Sequence, residues 1–372
     1  MNRPMIPLYK PHMPSGAGAA VSAVLESGQI AGDGNLPEFE SKLREFLGTR
    51  YLVATAEFSR SLEMALRMAG LGPGDTILLS PLACLATTMP IVQTGARPVW
   101  CDIEPDTGNL DPREILRKEA TGAKAVLLYH WVGTPADIER IRRAARDGGL
   151  KVIEDAGEAL GAEYGGSRVG AHGFDYSVFS FSPVRHITTG EGAAITFHDE
   201  QQYEIARLWR RYGIPPAEFR DELGEIRPQC DIRIPGFHNY MNRIAGAIGT
   251  LQMACLPTIV ETQRNNGSFF DEMLSKIAGI RLLRRPAHCI PSYWVYCFTC
   301  ERRDDLLRKL REARIYASKV HMRNDSYSCF GTGPADLPGV AEFERTQLSI
   351  PSGWWVTDTD REYIVETIKA GW

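Results

Sequence analysis

Short apolar runs alternate with amphipathic stretches between residues 50 and 200 of the chain. The apolar runs, each of strand length, lie at 51–54, 76–79, 98–101, 123–128, 151–154, 176–179 and 193–197. Between them, apolar residues recur at helical spacing, at 62–68, 88–93, 112–117 and 138–145. This alternation predicts an α/β fold in which a mostly parallel sheet is covered by helices on both faces. A ligand is then expected at the carboxyl ends of the strands.

The pattern changes after residue 200, where helices are predicted at 201–211, 242–256 and from 257 towards 277. The last part of the chain is typical of a smaller α+β unit, with strands at 280–283 and 295–299 and helices at 304–313 and 358–370. We therefore predict two domains. The large domain, with an N-terminal arm, covers residues 1–255, and the small C-terminal domain covers residues 256–372.

The composition argues against several classes of protein. The chain is 44% hydrophobic and 24% charged with a net charge of −4, which is ordinary for a globular protein and gives no basic excess for nucleic acid. No apolar run approaches the roughly 20 residues of a membrane span, and the first residues lack the apolar stretch of a signal peptide. We expect a cytoplasmic protein that binds neither nucleic acid nor membranes. Cys297 and Cys300 form a CxxC motif, but in a strand their side chains would point to opposite faces, so we expect no metal or redox site.

Two segments place polar side chains at the ends of predicted strands. In VIEDAGEALGAEYGG, Asp155 follows a strand and could hold a protonated heteroaromatic nitrogen by a charge-assisted hydrogen bond, or it could simply cap a helix. In FSFSPVRHITTGEGAAI, Ser180 and Ser182 could donate to a phosphate beside a tight Thr-Thr-Gly turn, although such a sequence can also be only a turn.

In this order and spacing, the segments resemble the nucleotide-sugar (DegT-type) aminotransferases, which are fold-type-I pyridoxal phosphate (PLP) enzymes. The resemblance covers nearly the whole chain, and its landmarks include GPGDTILLSP, GARPVWCDIEPDTGNLDP, VIEDAGEALGA, FSF…TTGEGA, GFHNYMNRIAGAIG and GWWVTDTDREYI. It implies a fold-type-I PLP-transferase fold with large and small domains. It also implies a nucleotide-linked keto-sugar as the ligand, a role in polysaccharide or antibiotic biosynthesis, and a homodimer.

Several site residues follow from the resemblance. Asp155 matches the aspartate that pairs with the pyridine nitrogen of the cofactor, and Ser180 matches the serine that contacts its phosphate. Glu191 matches an acid beside the active site. The stretch around residues 238–242, which includes Asn239, resembles the loop that reaches the cofactor of the neighbouring subunit.

The residue that defines the family, a lysine that forms a Schiff base with PLP, is replaced. In the register fixed by FSF and TTGEG, Arg185 stands at this position, and a guanidinium that stays protonated is neither a carbonyl nucleophile nor a ready base. The next residue, His186, is a possible proton carrier. Glu158 stands where a glutamine or histidine approaches the ring oxygen of the cofactor, and Leu85 replaces the aromatic residue that stacks on its ring.

The phosphate cradle after the first strand also differs from the family. Glu57 and Phe58 take the place of small polar residues, and a carboxylate there would repel a phosphate dianion. Ser59 and Arg60 follow them and remain candidate cofactor ligands, since Arg60 could partly compensate for the negative charge.

Three hypotheses are therefore open. In the first, PLP or pyridoxamine phosphate (PMP) binds noncovalently and supports dehydratase-type chemistry on a keto-sugar. In the second, no cofactor binds, and the protein is a pseudoenzyme that partners an active homologue or binds a nucleotide sugar; Phe58 or Arg185 then fills the pocket, and Arg185 pairs with Asp155 or Glu158. In the third, new, PLP-independent chemistry takes place in an open polar cleft on an acidic or phosphorylated substrate. Its groups are Arg185, His186 and Glu158, together with Arg60 and Glu57.

Overall fold

The computed structural model describes residues 3–32, 34–118, 121–331 and 333–372. Its helices are α1 (Ala17–Glu26), α2 (Leu36–Leu47), α3 (Phe58–Met68), α4 (Leu85–Gln93), α5 (Pro112–Lys118), α6 (Ile138–Asp147), α7 (Glu200–Trp209), α8 (Pro216–Phe219), α9 (Arg243–Leu274), α10 (Arg303–Glu312), α11 (Pro338–Thr346) and α12 (Asp358–Lys369). Its strands are β1 (Tyr51–Thr55), β2 (Thr76–Leu79), β3 (Arg97–Trp100), β4 (Ala125–Tyr129), β5 (Lys151–Asp155), β6 (Glu163–Tyr164), β7 (Ser167–Arg168), β8 (Tyr176–Ser180), β9 (Ala193–Phe197), β10 (Ile280–Leu282), β11 (Cys289–Ile290), β12 (Tyr296–Cys300) and β13 (Gln347–Ile350).

The large unit is built on a seven-stranded sheet in the order β1-β9-β8-β5-β4-β2-β3. Strands β3, β2, β4, β5 and β8 are parallel, and β9 runs antiparallel to both β8 and β1. Both faces of the sheet are buried: Val126 and Leu128 of β4 face one core, and Leu127 faces the other. The prediction of an α/β fold with a mostly parallel sheet is confirmed, because strands buried on both faces produce the short apolar runs seen in the sequence.

The prediction of two helices between residues 242 and 277 is wrong, because α9 is one helix of 32 residues that continues through Pro257. A proline removes one backbone hydrogen bond, but the neighbouring Leu256 and Ile259 are buried in the main core and hold the helix together at this point. By length and hydropathy alone, α9 could cross a membrane, yet half of its most apolar window is buried within the protein. Packing against the core accounts for its apolar character.

The smaller unit contains a three-stranded sheet in the order β10-β12-β13, packed against α10, α12 and the end of α9. The sequence pattern missed α11 and β13, since β13 has only four residues, all buried, and shows no alternation. The predicted boundary between residues 255 and 256 lies within α9, and the division into domains stays a prediction. Cys297 and Cys300 on β12 are free thiols that belong to different hydrophobic clusters, as their spacing predicts.

Candidate functional site

The carboxyl ends of three neighbouring parallel strands form the floor of the site. Tyr129, Asp155 and Ser180 are the last residues of β4, β5 and β8, and all three are buried. The register pairs Tyr129 with Asp155, so these two side chains leave the sheet at the same level. The site therefore lies at the edge of the sheet where the sequence predicts a ligand.

Asp155 is held by partners within the chain. Its Oδ2 accepts a hydrogen bond of 2.6 Å from Thr87 Oγ1, and its Oδ1 accepts one of 2.9 Å from the amide of Gly157. Burial raises the pKa of this carboxyl, and the two hydrogen bonds offset the rise only in part. Asp155 does not cap a helix, because residues 156–162 form turns. Each of its oxygens thus accepts one hydrogen bond from within the chain.

Glu158, three residues further on, joins side chains from three parts of the chain. Its Oε1 accepts from Arg185 Nη1 at 3.0 Å and from His321 Nε2 at 2.9 Å, and its Oε2 accepts from the Tyr129 hydroxyl. Only 1% of the Glu158 side chain is exposed. Burial acts to raise its pKa, but the charge and hydrogen bond of His321 and the charge of Arg185 outweigh it, so the pKa lies below its ordinary value. Glu158 is therefore a buried, ionised carboxylate.

Arg185 lies inside this cluster. Its side chain is 8% exposed, and its guanidinium carbon lies 4.7 Å from the centre of the Trp294 ring, a cation–π contact. Burial opposes its charge, but Glu158, Tyr129 and Asp155 more than compensate and raise the pKa of the guanidinium. Arg185 is consequently a fixed cation paired with Glu158.

His186 turns away from the cluster centred on Glu158. Its ring is buried, with Nε2 3.3 Å from the carbonyl oxygen of Ser292 and with no partner for Nδ1 among the described residues. Burial lowers the pKa of His186 to about 4, so the ring is neutral near pH 7. Its predicted role as a proton carrier stays a prediction.

The start of α3, where the sequence predicts a poor phosphate cradle, is occupied by the chain itself. Glu57 precedes the helix, and its Oε1 and Oε2 accept hydrogen bonds of 2.7 Å each from the amides of Ser59 and Arg60. The Arg60 side chain is more than half exposed and pairs with Glu63 at 2.6 Å. Both oxygens of the Glu57 carboxylate and both amides are therefore satisfied.

Asn239 fixes the loop before α3. Its Oδ1 accepts from the amides of Ala56 and Glu57 at 3.2 and 3.1 Å, and its Nδ2 donates to Ser61 Oγ at 3.0 Å. The side chain is 1% exposed and is thus used within its own subunit. Its predicted contact with a neighbouring cofactor stays a prediction.

Phe58 is buried between the residues that the resemblance assigns to a cofactor. A methyl group built on Gly157 would lie 3.1 Å from Asp155 Oδ1, 3.4 Å from Ser180 Cβ and 3.5 Å from Phe58 Cε2, so these three side chains converge on one point. Leu85 begins α4 and is 41% exposed.

An acid that the resemblance assigns to the site, Glu191, is exposed to solvent. Burial of its carboxyl and the charge of Glu57 both raise the pKa of Glu191. The negative charge of Glu57 therefore acts on Glu191, and the two acids make this region unfavourable for an anion.

The sequence missed five residues of the site, one of which is Tyr129, the donor to Glu158 Oε2. Thr87 holds Asp155, His321 reaches Glu158 from the small unit, and Tyr9 of the N-terminal arm stacks on Trp294 at 4.9 Å between ring centres. Burial, followed by the charge of Glu158, raises the pKa of Tyr9 well above its ordinary value. The segment HMRNDSYSCF, which contains His321, is part of the resemblance, but nothing in its pattern indicates a contact with Glu158.

A mostly parallel sheet with a buried aspartate at the end of β5, and a smaller unit that reaches the same edge, places the protein in the class of fold-type-I PLP transferases. The chain belongs to the DegT/DnrJ/EryC1/StrS aminotransferase family, whose model matches residues 15–369. It is similar to AtS13 from Actinomadura melliaura, with 34% sequence identity and a TM-score of 0.93 over the whole of both chains. It is also similar to the sugar aminotransferase CalS13 from Micromonospora echinospora, with 32% identity and a TM-score of 0.93 over 99% of this chain and the whole of that one. It is also 27% identical to GDP-perosamine synthase of Escherichia coli O157:H7 over 98% of both chains. The resemblance found in the sequence is confirmed at the level of the family.

Membership of this family implies PLP or PMP as the cofactor, but the residues of this chain do not fit that group. The α3 amides that would meet a phosphate are already bonded to Glu57. Arg185, which the resemblance assigns to the position of the Schiff-base lysine, has its guanidinium paired with Glu158. Asp155 and Ser180, which the resemblance assigns to the ring nitrogen and the phosphate, are the last residues of β5 and β8.

Proposed function

We propose that this protein is a member of the sugar aminotransferase family that binds a nucleotide-linked sugar without PLP and does not catalyse transamination. The observation that carries the proposal is the buried ion pair between Arg185 and Glu158, at 3.0 Å, in the position of the Schiff-base lysine. This is the pairing that the second of the three sequence hypotheses predicts. The sugar ligand is inferred from relatives whose names describe sugar chemistry.

The alternative of new chemistry by Arg185, His186 and Glu158 receives less support. Arg185 and Glu158 neutralise one another, and the ring of His186 faces the carbonyl of Ser292 instead of the cluster. A proton carrier must reach the proton that it moves, and a neutral histidine buried elsewhere does not.

A second candidate function is dehydratase-type chemistry with noncovalently bound PMP. It is favoured by one observation, the retention of a buried aspartate, Asp155, at the end of β5. Under either candidate function we propose a cytoplasmic homodimer, and in the first the partner could also be an active homologue.

Titration of the purified protein with PLP and with PMP, followed by absorbance and calorimetry, separates the two candidates. We expect no saturable binding of either compound at millimolar concentration. Saturable binding of PMP that is lost in Asp155→Ala would overturn the first candidate and support the second. In parallel, GDP-mannose, dTDP-glucose and UDP-glucose serve as probes in a thermal-shift assay, and the absence of stabilisation by all three would contradict the sugar-binding part of the proposal.

The variant Arg185→Lys tests whether the lost lysine is the sole obstacle. We expect that borohydride reduction attaches no PLP to this variant. The introduced ammonium would stay protonated beside Glu158, and a protonated amine does not form a Schiff base. The double variant Arg185→Lys with Glu158→Gln is the matched comparison, since it removes that carboxylate. Attachment in the single variant, detected by intact mass, would show that the pocket still accepts PLP.

A further inference from the structure

We infer that Glu57 is an internal substitute for a phosphate group and that it excludes phosphorylated ligands from the pocket. Its two carboxylate oxygens each accept a 2.7 Å hydrogen bond from an amide in the first turn of α3. This inference deepens the proposed function and rests on it in one respect, namely that the pocket holds no PLP.

The first turn of an α-helix is where an anion is bound most readily. Its amides have no partner within the helix, and the helix dipole adds a partial positive charge. In α3, which has 11 residues, Glu57 uses the amides of Ser59 and Arg60 with one oxygen each. A phosphate that approached these amides would have to displace a charge-assisted pair of hydrogen bonds and would meet a like charge.

The backbone that carries Glu57 is fixed by neighbouring residues. The Asn239 amide oxygen binds the backbone amides of Ala56 and Glu57, and Asn239 itself is buried. Phe58, the next residue, is 6% exposed and lies close to Gly157 in the same pocket. These contacts fix the backbone of Glu57 at the start of α3, and the amides of Ser59 and Arg60 hold its carboxylate.

The charges around Glu57 also disfavour an anionic ligand near the start of α3. Glu191 lies close enough for the charge of Glu57 to raise its pKa, and the nearby cation Arg60 is engaged by Glu63 at 2.6 Å. A ligand of this pocket is accordingly neutral or cationic at the end that faces α3. A nucleotide-linked sugar would meet this region with its sugar and not with its diphosphate.

Calorimetric titration with PMP and with pyridoxamine tests the inference, because the two compounds differ only by the phosphate. Three proteins are compared: the wild type, Glu57→Ser and Glu57→Asp. Serine is a good N-cap without charge, so α3 keeps its start, whereas aspartate keeps both the cap and the charge. We expect Glu57→Ser to bind PMP at least about tenfold more tightly than pyridoxamine, since the serine can occupy only one of the two amides and a repulsive charge is removed. The wild type and Glu57→Asp are expected to show no such preference.

The outcomes separate this inference from the proposed function. If Glu57 is only a helix cap, Glu57→Ser, shown by circular dichroism to be folded, will have no preference for the phosphate form, and the inference fails while the proposed function stands. If none of the three nucleotide sugars stabilises the wild type while Glu57→Ser gains the preference for PMP, the sugar-binding part of the proposed function fails while the inference stands. Saturable binding of PMP by the wild type, with or without a preference over pyridoxamine, would overturn both.

Discussion

Replacing Glu158 by glutamine removes one negative charge from a cluster that keeps Arg185 charged inside the protein. The two side chains are 1% and 8% exposed, and their nearest atoms are 3.0 Å apart. At an effective dielectric constant of about 20, the attraction of two such charges is about 5 kcal/mol. Because the glutamine can still accept hydrogen bonds, we expect Glu158→Gln to lower the free energy of unfolding by about 3 kcal/mol, the lower end of what breaking a buried pair costs.

The assay is urea denaturation of four proteins at neutral pH. In the double variant Glu158→Gln with Arg185→Met, the stranded cation is gone, so we expect it to recover at least about 2 kcal/mol relative to Glu158→Gln. The matched control is Glu272→Gln, the same substitution in an exposed pair with Lys276 at 3.2 Å, which should change stability by less than about 1 kcal/mol. A double variant no more stable than the single one would refute the reasoning.

Two further predictions concern packing and pH. Burial lowers the pKa of His186 to about 4, so the neutral ring contributes stability that is present above the unfolded pKa of about 6.5 and is lost as the pH falls towards 4. Between pH 7 and pH 5, we expect the free energy of unfolding of His186→Phe to fall by about 2 kcal/mol less than that of the wild type. Urea denaturation measures both proteins, and equal losses of stability would contradict this prediction. Gly267→Ala is expected to destabilise by about 1–3 kcal/mol, because its Cβ would lie 2.5 Å from Tyr293 Cζ. The control is Gly18→Ala in α1, where the added Cβ has open space around it, and it should be neutral or stabilising by less than about 1 kcal/mol. Thermal melts compare the two variants, and equal shifts of their melting temperatures would argue against a clash at Gly267.

The large sheet could be predicted from the sequence because its strands are buried on both faces and read as apolar runs. The apolar pattern did not predict the structure correctly where tertiary packing overrides the preference of a short stretch of sequence. Pro257 indicated a break in a helix that the core holds continuous, and β13 is too short to show a period. Packing of this kind leaves no trace in a window of ten or twenty residues.

The sequence likewise predicts only part of the candidate site. Asp155 ends β5, and Glu158 and Arg185 lie in the segments that follow the neighbouring strands β5 and β8, so a parallel sheet brings all three to the edge where the sequence predicts a ligand. His321 and Tyr9 come from the smaller unit and the N-terminal arm, and only the tertiary structure brings them to Glu158 and Trp294. Their contribution could not be predicted from spacing along the chain.

The departures from the family that the resemblance predicts share one feature, which is that contacts expected from the cofactor are made within the chain. In a PLP site, the aspartate, the helix amides and the lysine position each take a partner from the cofactor. Here each has a partner from the chain: Thr87 and Gly157 for Asp155, Glu57 for the α3 amides, and Glu158 for Arg185. A buried polar group without a partner costs free energy, so groups that already have partners within the chain gain less from a cofactor than unpaired groups would. Restoring covalent attachment of PLP should therefore require more than one substitution, and Glu57 and Arg185 are the two residues to change, because their partners are the α3 amides and Glu158.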